Sequence, residues 1–269
     1  MPEFYKLDFN NSILKQMNTV LRNQVHSASQ YLAAAGISFL EKKEDDSHTN
    51  LQFKVDNATL YTRPLNEVGD TLSFNYNDFS LVWNGNEKHK VFRLDGKSHE
   101  QVLKWIQATT SEANLKLPYR YQLHYELPYE ITDAFTFRLS DLSTLMELKR
   151  IRTLAQKVLE VFVKEQQLRS EVRVWPHHFD TGAFAPLKNK TDVSISLGMA
   201  IPDTICDDHY FYIAGYKEGN ALVTTHLPAL SIGKWMNDGF KGAILPVGVG
   251  NSSKVLSFYK EALSHISNV

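Results

Sequence analysis

The sequence predicts an α+β protein, with helices packed on predominantly antiparallel sheet. Three observations lead there. Apolar residues recur at helical spacing in several segments, short β-type runs fill the stretches between them, and Asp, Asn and Gly punctuate those runs as turns do. Each half of the chain reads as helix, antiparallel strands, helix, without a residue-level repeat that establishes duplication. The expected organisation is an N-terminal α+β half over residues 1–116, an extended connector over 117–139 and a C-terminal α+β half over 140–269, the two halves packed as one unit.

The first helix is expected over residues 10–36, capped by Asn10 and Asn11, with Ile13, Leu14, Met17, Val20, Leu21, Val25 and Leu32 at mostly helical spacing and Gly36 as its stop. Between Leu51 and Leu94 the runs LQFKV, ATLYT, TLSFNY, FSLVW and KVFRL predict an antiparallel meander. Ser98 then caps a helix carrying Val102, Leu103, Ile106 and Ala108. The connector holds Leu-Pro-Tyr twice, and its prolines cannot donate to a ladder, so any strand there belongs at an edge or just after a proline. Ser140 or Asp141 starts the longest helix, running to about Leu168, with Leu145, Leu148, Ile151, Leu154, Ala155, Val158 and Phe162 on one buried stripe. Strand signals return as VRVWP, FDTGAF, VSISLGMA, YFYIAGY and ALVTTHLP, then around Ile232 to Asn237 and in GAILPV, before a last helix from Ser252 to about Ile266.

Composition bounds the function classes. The chain has 269 residues, 43% hydrophobic and 22% charged, with a formal net charge of -1, so no global field draws in phosphate backbones or anionic lipid. Nucleic acid and membrane are not expected partners. The basic cluster Lys149, Arg150 and Arg152 lies in a helical segment and reads as a solvated face. Cys206 is the only cysteine, which precludes an intramolecular disulfide and a cysteine-rich zinc site, fits a reducing cytoplasm and reads as a small apolar filler. The opening MPEFYKLDFNN lacks a signal-peptide pattern, and no run has the length of a spanning helix.

The candidate site lies in two runs. VRVWPHHFDTGAF, from Val172 to Phe184, sets His177, His178 and Asp180 in an otherwise strand-like aromatic run. On a continuous strand His178 and Asp180 share a face, and a carboxylate two residues from a histidine can orient its ring for general acid/base work. DDHYFYIAGY, from Asp207 to Tyr216, places Tyr210 and Tyr212 on one face and His209 on the other. The catalytic candidates are therefore His178 and Asp180, and the ligand-binding candidates are Trp175, His177, His209, Tyr210 and Tyr212. The competing reading is structural: a His178–Asp180 pair that merely holds a bend after Pro176.

Other motifs carry less. No HExxH or zinc-class spacing is present, so no metal is assigned, and Asp203, Asp207 and Asp208 read as a solvated turn without calcium-loop spacing. GVGNSSK, from Gly248 to Lys254, departs from both phosphate-loop patterns and reads as capping by Asn251 or Ser252. No GxSxG elbow occurs. Of Trp83, Trp105, Trp175 and Trp235, only Trp175 adjoins the suspect polar residues.

VRVWPHHFDTGAF, HYFYIAGY, YELPYEITDAF and GAILP occur in an order that resembles the bacterial family catalogued as domain of unknown function 5996. The resemblance is clearest over residues 125–265, and its Trp-Pro-x-His-Phe-Asp core falls on Trp175, Pro176, His178, Phe179 and Asp180. It implies a shared fold and site position and supplies neither a mechanism nor the identity of any cofactor. The expectation is a cytoplasmic small-molecule-binding protein, an enzyme if His178 acts as acid/base; the alternative class is a structural or protein-interaction scaffold. Substrate and oligomeric state are not legible.

Overall fold

The computed structural model describes residues 3–85, 88–187 and 190–268, and the side chains of residues 3–18, including Ile13, Leu14 and Met17, and of residues 190 and 191 lie outside what is described. It is an α+β fold: helices accompany one five-stranded and one seven-stranded antiparallel sheet. The chain divides into two compact units, Met1–Arg150 and Ile151–Val269. The division falls inside the helix Leu142–Glu165, which the sequence predicts to be the longest; at 24 residues it is shorter than the first helix, Glu3–Phe39, which has 37.

In the first unit, α1 spans Glu3–Phe39, so Asn10 and Asn11 lie within the helix rather than capping it. Asparagine is only a modest helix breaker, and its cost is readily overridden. Leu21, Val25 and Leu32 are buried as the spacing predicts, whereas Val20 is exposed. Beyond the expected stripe, Gln24, His26, Ser27, Ser29 and Gln30 are buried as well, so this part of α1 is enclosed rather than amphipathic. The meander follows in chain order as β1 (Gln52–Lys54), β2 (Thr59–Tyr61), β3 (Thr71–Asn75), β4 (Ser80–Asn84) and β5 (His89–Arg93), each paired to the next. Helix α2 (His99–Glu112) starts at a capping box in which the Ser98 hydroxyl accepts from the Gln101 N–H at 3.3 Å and the Gln101 carbonyl Oε1 accepts from the Ser98 N–H at 3.0 Å. Val102 and Ile106 are buried, Leu103 is half-buried and Ala108 faces out. Residues 117–139 are extended without a strand; their one ladder element is the isolated bridge between Ser98 and Thr136.

Helix α3 (Leu142–Glu165) spans the boundary. Asp141 caps it: one carboxylate oxygen accepts from the Ser143 N–H and the other from the Thr144 N–H, both at 3.0 Å, and these bonds with the two hydroxyls draw its pKa down to about 2. Of the predicted stripe, Leu145, Ile151, Ala155, Val158 and Phe162 are buried, while Leu148 and Leu154 are half-buried. The helix ends at Glu165, short of Leu168, which bonds back through its N–H to the Val163 carbonyl.

The second unit carries β6 (Arg173–Trp175), β7 (Asp180–Leu187), β8 (Lys190–Ala200), β9 (Tyr210–Lys217), β10 (Asn220–Ala221), β11 (Lys234–Met236) and β12 (Gly242–Pro246), then α4 (Ser252–Ser267). The spatial order is β11-β12-β9-β8-β7-β6, so β12 inserts beside β9 and the sheet is not a plain meander like the first. The strand expected in ALVTTHLP shrinks to β10, because the Thr224 N–H and hydroxyl turn to the Asn237 side chain and Pro228 has no N–H to give. Asn251 caps α4 through the Lys254 N–H at 3.0 Å, as the capping reading of GVGNSSK expects. One sheet face is apolar: Ala183, Ile195, Leu197, Met199, Phe211, Ile213 and Leu245 pack with Val158 and Phe162 of α3 and Phe258, Tyr259 and Ile266 of α4.

Two substitutions test these assignments. Ser98→Ala removes half of the capping box and is expected to cost about 1 kcal/mol in urea unfolding. Phe162→Ala deletes a fully buried ring whose centre lies 5.2 Å from that of Tyr259 at a tilt and is expected to cost about 3–5 kcal/mol; an effect under about 1 kcal/mol would mean that the stripe is misplaced.

Candidate functional site

VRVWPHHFDTGAF is not one strand. Pro176 ends β6, residues 176–179 form the turn, and Asp180 begins β7 directly opposite Trp175. His178 therefore sits on the hairpin turn, exposed, and does not share a strand face with Asp180. The reason is local: proline cannot extend the ladder, and Phe179 adopts a left-handed backbone with φ 60° while its N–H closes the turn onto the Trp175 carbonyl at 2.7 Å. Trp175, His177 and His178 stay together as an aromatic row, with ring centroids 6.2 Å apart for the first two and 4.5 Å for the histidine pair.

A residue read as solvated fixes this hairpin. Arg152 of α3 is only 3% exposed. Its guanidinium lies 4.0 Å from the centre of the Phe179 ring, donates from Nη1 to the Thr181 hydroxyl at 2.8 Å and from Nη2 to the Phe179 carbonyl at 3.2 Å. Stacking and charge-assisted bonds together meet the requirement that a buried cation be paired. The correction was legible in part, since Arg152 shares the helical spacing of Ala155, Leu159 and Phe162.

Asp180 finds its partner in Tyr212 rather than in His178. Across the sheet Gly182 pairs with Gly198, and Gly198 pairs with Tyr212, so the three lie in a row on the face opposite the apolar core. A Cβ on Gly198 would sit 2.7 Å from the Tyr212 hydroxyl, and one on Gly182 would sit 3.1 Å from it. The Tyr212 side chain thus lies across two glycines, and its hydroxyl donates to the Asp180 carboxylate. Burial raises the Asp180 pKa to about 7; the Tyr212 bond and the Arg152 charge oppose that rise, and the nearby Asp203 carboxylate adds to it.

Tyr210 joins the same cluster. Its hydroxyl donates to Asp203 Oδ2 at 2.9 Å, and burial followed by that bond pushes its pKa upward. Asp203 is exposed and opens a tight turn, its Oδ1 accepting from the Ile205 N–H at 2.8 Å, so the turn reading holds for it, with a link to Tyr210 that the spacing did not reveal. Cys206 is half-buried and packs with Tyr210, Ala200 and Ile244. His209 precedes β9 with the opposite side-chain phase from Tyr210 and Tyr212; its backbone carbonyl accepts from Val247 at 2.8 Å. Among the described residues no group of three or more His, Cys, Asp or Glu is placed to hold a metal ion. No helix among them is long and apolar enough to cross a membrane.

The structure therefore brings together Asp180, Tyr210 and Tyr212 of the expected set, keeps Trp175 opposite Asp180, and places His177 and His178 on the turn and His209 elsewhere. Arg152, Asp203, Gly182 and Gly198 complete the arrangement. The chain matches no protein-family model, no curated protein and no solved structure. Chemically, a carboxyl that titrates near neutrality can donate or accept a proton at physiological pH, with a tyrosine hydroxyl fixed on it.

This pKa carries a sign. Between its ordinary value of 3.8 and about 7, folded Asp180 keeps a proton that the unfolded chain releases, so its contribution to stability is full below the lower value and falls as pH rises toward the upper one. The slope is at most about 1.4 kcal/mol per pH unit. Asp180→Asn removes it, and the variant is expected to gain on the parent as urea midpoints are followed from about pH 5 to 8. Parallel pH profiles for the two proteins would show that the carboxyl titrates as an ordinary surface acid.

Proposed function

We propose that this protein binds a small molecule at the face of the second sheet opposite its main apolar core, with Asp180 as the acid/base group. The observation that carries this reading is the Asp180 carboxyl raised to a pKa of about 7 in a residue that keeps partial exposure. Tyr212 orients the carboxyl, Tyr210 and Asp203 flank it, and Trp175 on the paired strand provides an aromatic wall. His177 and His178, on the turn, supply contacts rather than the acid/base step. Protonated Asp180 donates to a ligand oxygen or nitrogen; ionised, it withdraws a proton, and Tyr212 stabilises the resulting charge by its hydrogen bond.

The scaffold reading has its own support: the Tyr212–Asp180 bond satisfies both groups within the fold. Membership of the family that the Trp-Pro-x-His-Phe-Asp core resembles is likewise proposed, the core here being the hairpin that presents Asp180. A cytoplasmic location is proposed from the lone Cys206.

Native mass spectrometry of the purified protein identifies a retained ligand, and titration of that ligand against Asp180→Asn and Tyr212→Phe tests the site. The expected result is a loss of affinity of about tenfold or more in both, the scale of one well-placed hydrogen bond. A protein that retains no small molecule, or variants that lose stability while affinity stands, would overturn the binding reading in favour of the scaffold.

A further inference from the structure

A second polar cluster lies in the first unit, between α1 and the extended segment that follows α2. Residues 119–131 run antiparallel to α1 and attach to it by side chains. The Tyr119 hydroxyl donates to the Tyr31 carbonyl at 3.2 Å, the Arg120 N–H donates to the Ser38 hydroxyl at 3.0 Å, and the Tyr125 hydroxyl donates to the Gln30 side-chain carbonyl at 2.6 Å. Tyr129 meets the His26 ring edge-on at 5.6 Å. Among the described residues no backbone-to-backbone hydrogen bond ties residues 121–131 to another element. A segment held in this way opens without breaking a ladder.

Beneath it lie buried donors. Arg22 Nε and the Tyr121 hydroxyl are buried without a hydrogen-bond partner, although Arg22 Nη2 reaches the neighbouring Asn23 side chain at 3.4 Å. The buried Tyr129 hydroxyl lies beside Arg22 and is within bonding reach of the Ser27 hydroxyl, so those two can serve one another until a stronger acceptor arrives. Tyr121 stands between Tyr31 and His99, with ring centroids 5.0 and 4.9 Å away, but the His99 Nδ1 is already bonded to the Tyr31 hydroxyl at 2.7 Å. Two carboxylates act on neighbouring residues: Asp46 is paired with His124 at 3.2 Å, and Asp133 acts on His99, while Glu126 and Glu130 of the segment are exposed. Buried donors are almost always satisfied, and a guanidinium with phenol and serine hydroxyls is a set that oxyanions satisfy.

We propose that the seam between α1 and residues 119–131 is a binding site for a small oxyanion, the carboxylate or phosphate group of a metabolite-sized ligand, held by Arg22, Tyr121, Tyr129 and Ser27. The extended segment acts as a strap that lifts to admit it. This site is independent of Asp180 and its proposed role.

Thermal unfolding and calorimetric titration with inorganic phosphate and with acetate, each against chloride at equal ionic strength, test the site on the full chain. Phosphate or acetate is expected to raise the melting temperature beyond the chloride control, and whichever acts more strongly names the group. Arg22→Gln is expected to weaken that anion about tenfold or more. Tyr121→Phe separates binding from structure: a hydroxyl awaiting a ligand leaves the anion-free protein as stable or more stable when removed, yet weakens anion binding. A hydroxyl bonded within the fold lowers the anion-free melting temperature and leaves binding untouched. The proposal is overturned if neither anion exceeds chloride, or if both variants respond as the parent does.

Discussion

A cation inside the core governs the geometry of the second unit. Arg152 sits among the apolar residues of α3 with its charge turned to the β6–β7 hairpin, and a guanidinium so placed must find acceptors or unfold its surroundings. It finds a backbone carbonyl and a threonine hydroxyl. The carbonyl belongs to Phe179, whose left-handed backbone is unfavourable for a bulky residue and persists because the ring is pinned under the guanidinium and its N–H closes the turn. The helix and the hairpin thus hold one another, and the register that follows from the turn sets Asp180 opposite Trp175.

That register has a second consequence. With Thr181 and Ala183 committed to the apolar side, Asp180 and Gly182 fall on the other face, where Gly198 and Tyr212 complete the row. A side chain at either glycine would occupy the path of the Tyr212 ring, so two absent side chains are what allow a tyrosine two strands away to reach a carboxylate. On the core side, Tyr259 of α4 donates to the Gly198 carbonyl at 2.7 Å, holding the same strand from the other face. The raised pKa of Asp180 is then the outcome of burial only partly offset by a hydrogen bond and a nearby cation.

The sequence carried the elements well and the site unevenly. Short β runs with turn residues between them locate all five strands of the first sheet, because alternation and punctuation are local signals. Tyr210 and Tyr212 share a face as their spacing requires. The His178–Asp180 pairing failed because period-two reasoning assumes an unbroken strand, and Pro176 was weighed as a bend within one strand instead of the end of it. Arg152 is hard to place from sequence because its charge argues for solvent while its helical position argues for the core, and Asp203 because its link to Tyr210 spans a loop whose course no local pattern fixes. Buried Gln24, His26 and Gln30 escaped for a related reason: a stripe argument expects polar residues outside, while here an extended segment covers them.

The two polar clusters differ in what they lack. Around Asp180 the carboxylate lacks solvation: burial raises its pKa, the Tyr212 bond and the Arg152 charge offset only part of that, and the acid responds by holding its proton. Between α1 and residues 119–131 the deficit is of acceptors: Arg22 remains a cation, the tyrosines are driven further from ionisation by burial, and Tyr121 keeps an unused hydroxyl. A proton relieves the first deficit from within, which is why that site can be chemically poised with nothing bound. Arg22 Nε and the Tyr121 hydroxyl both remain protonated donors, the phenol because burial raises its pKa, so the second deficit is of the kind that the proposed oxyanion would complete from outside.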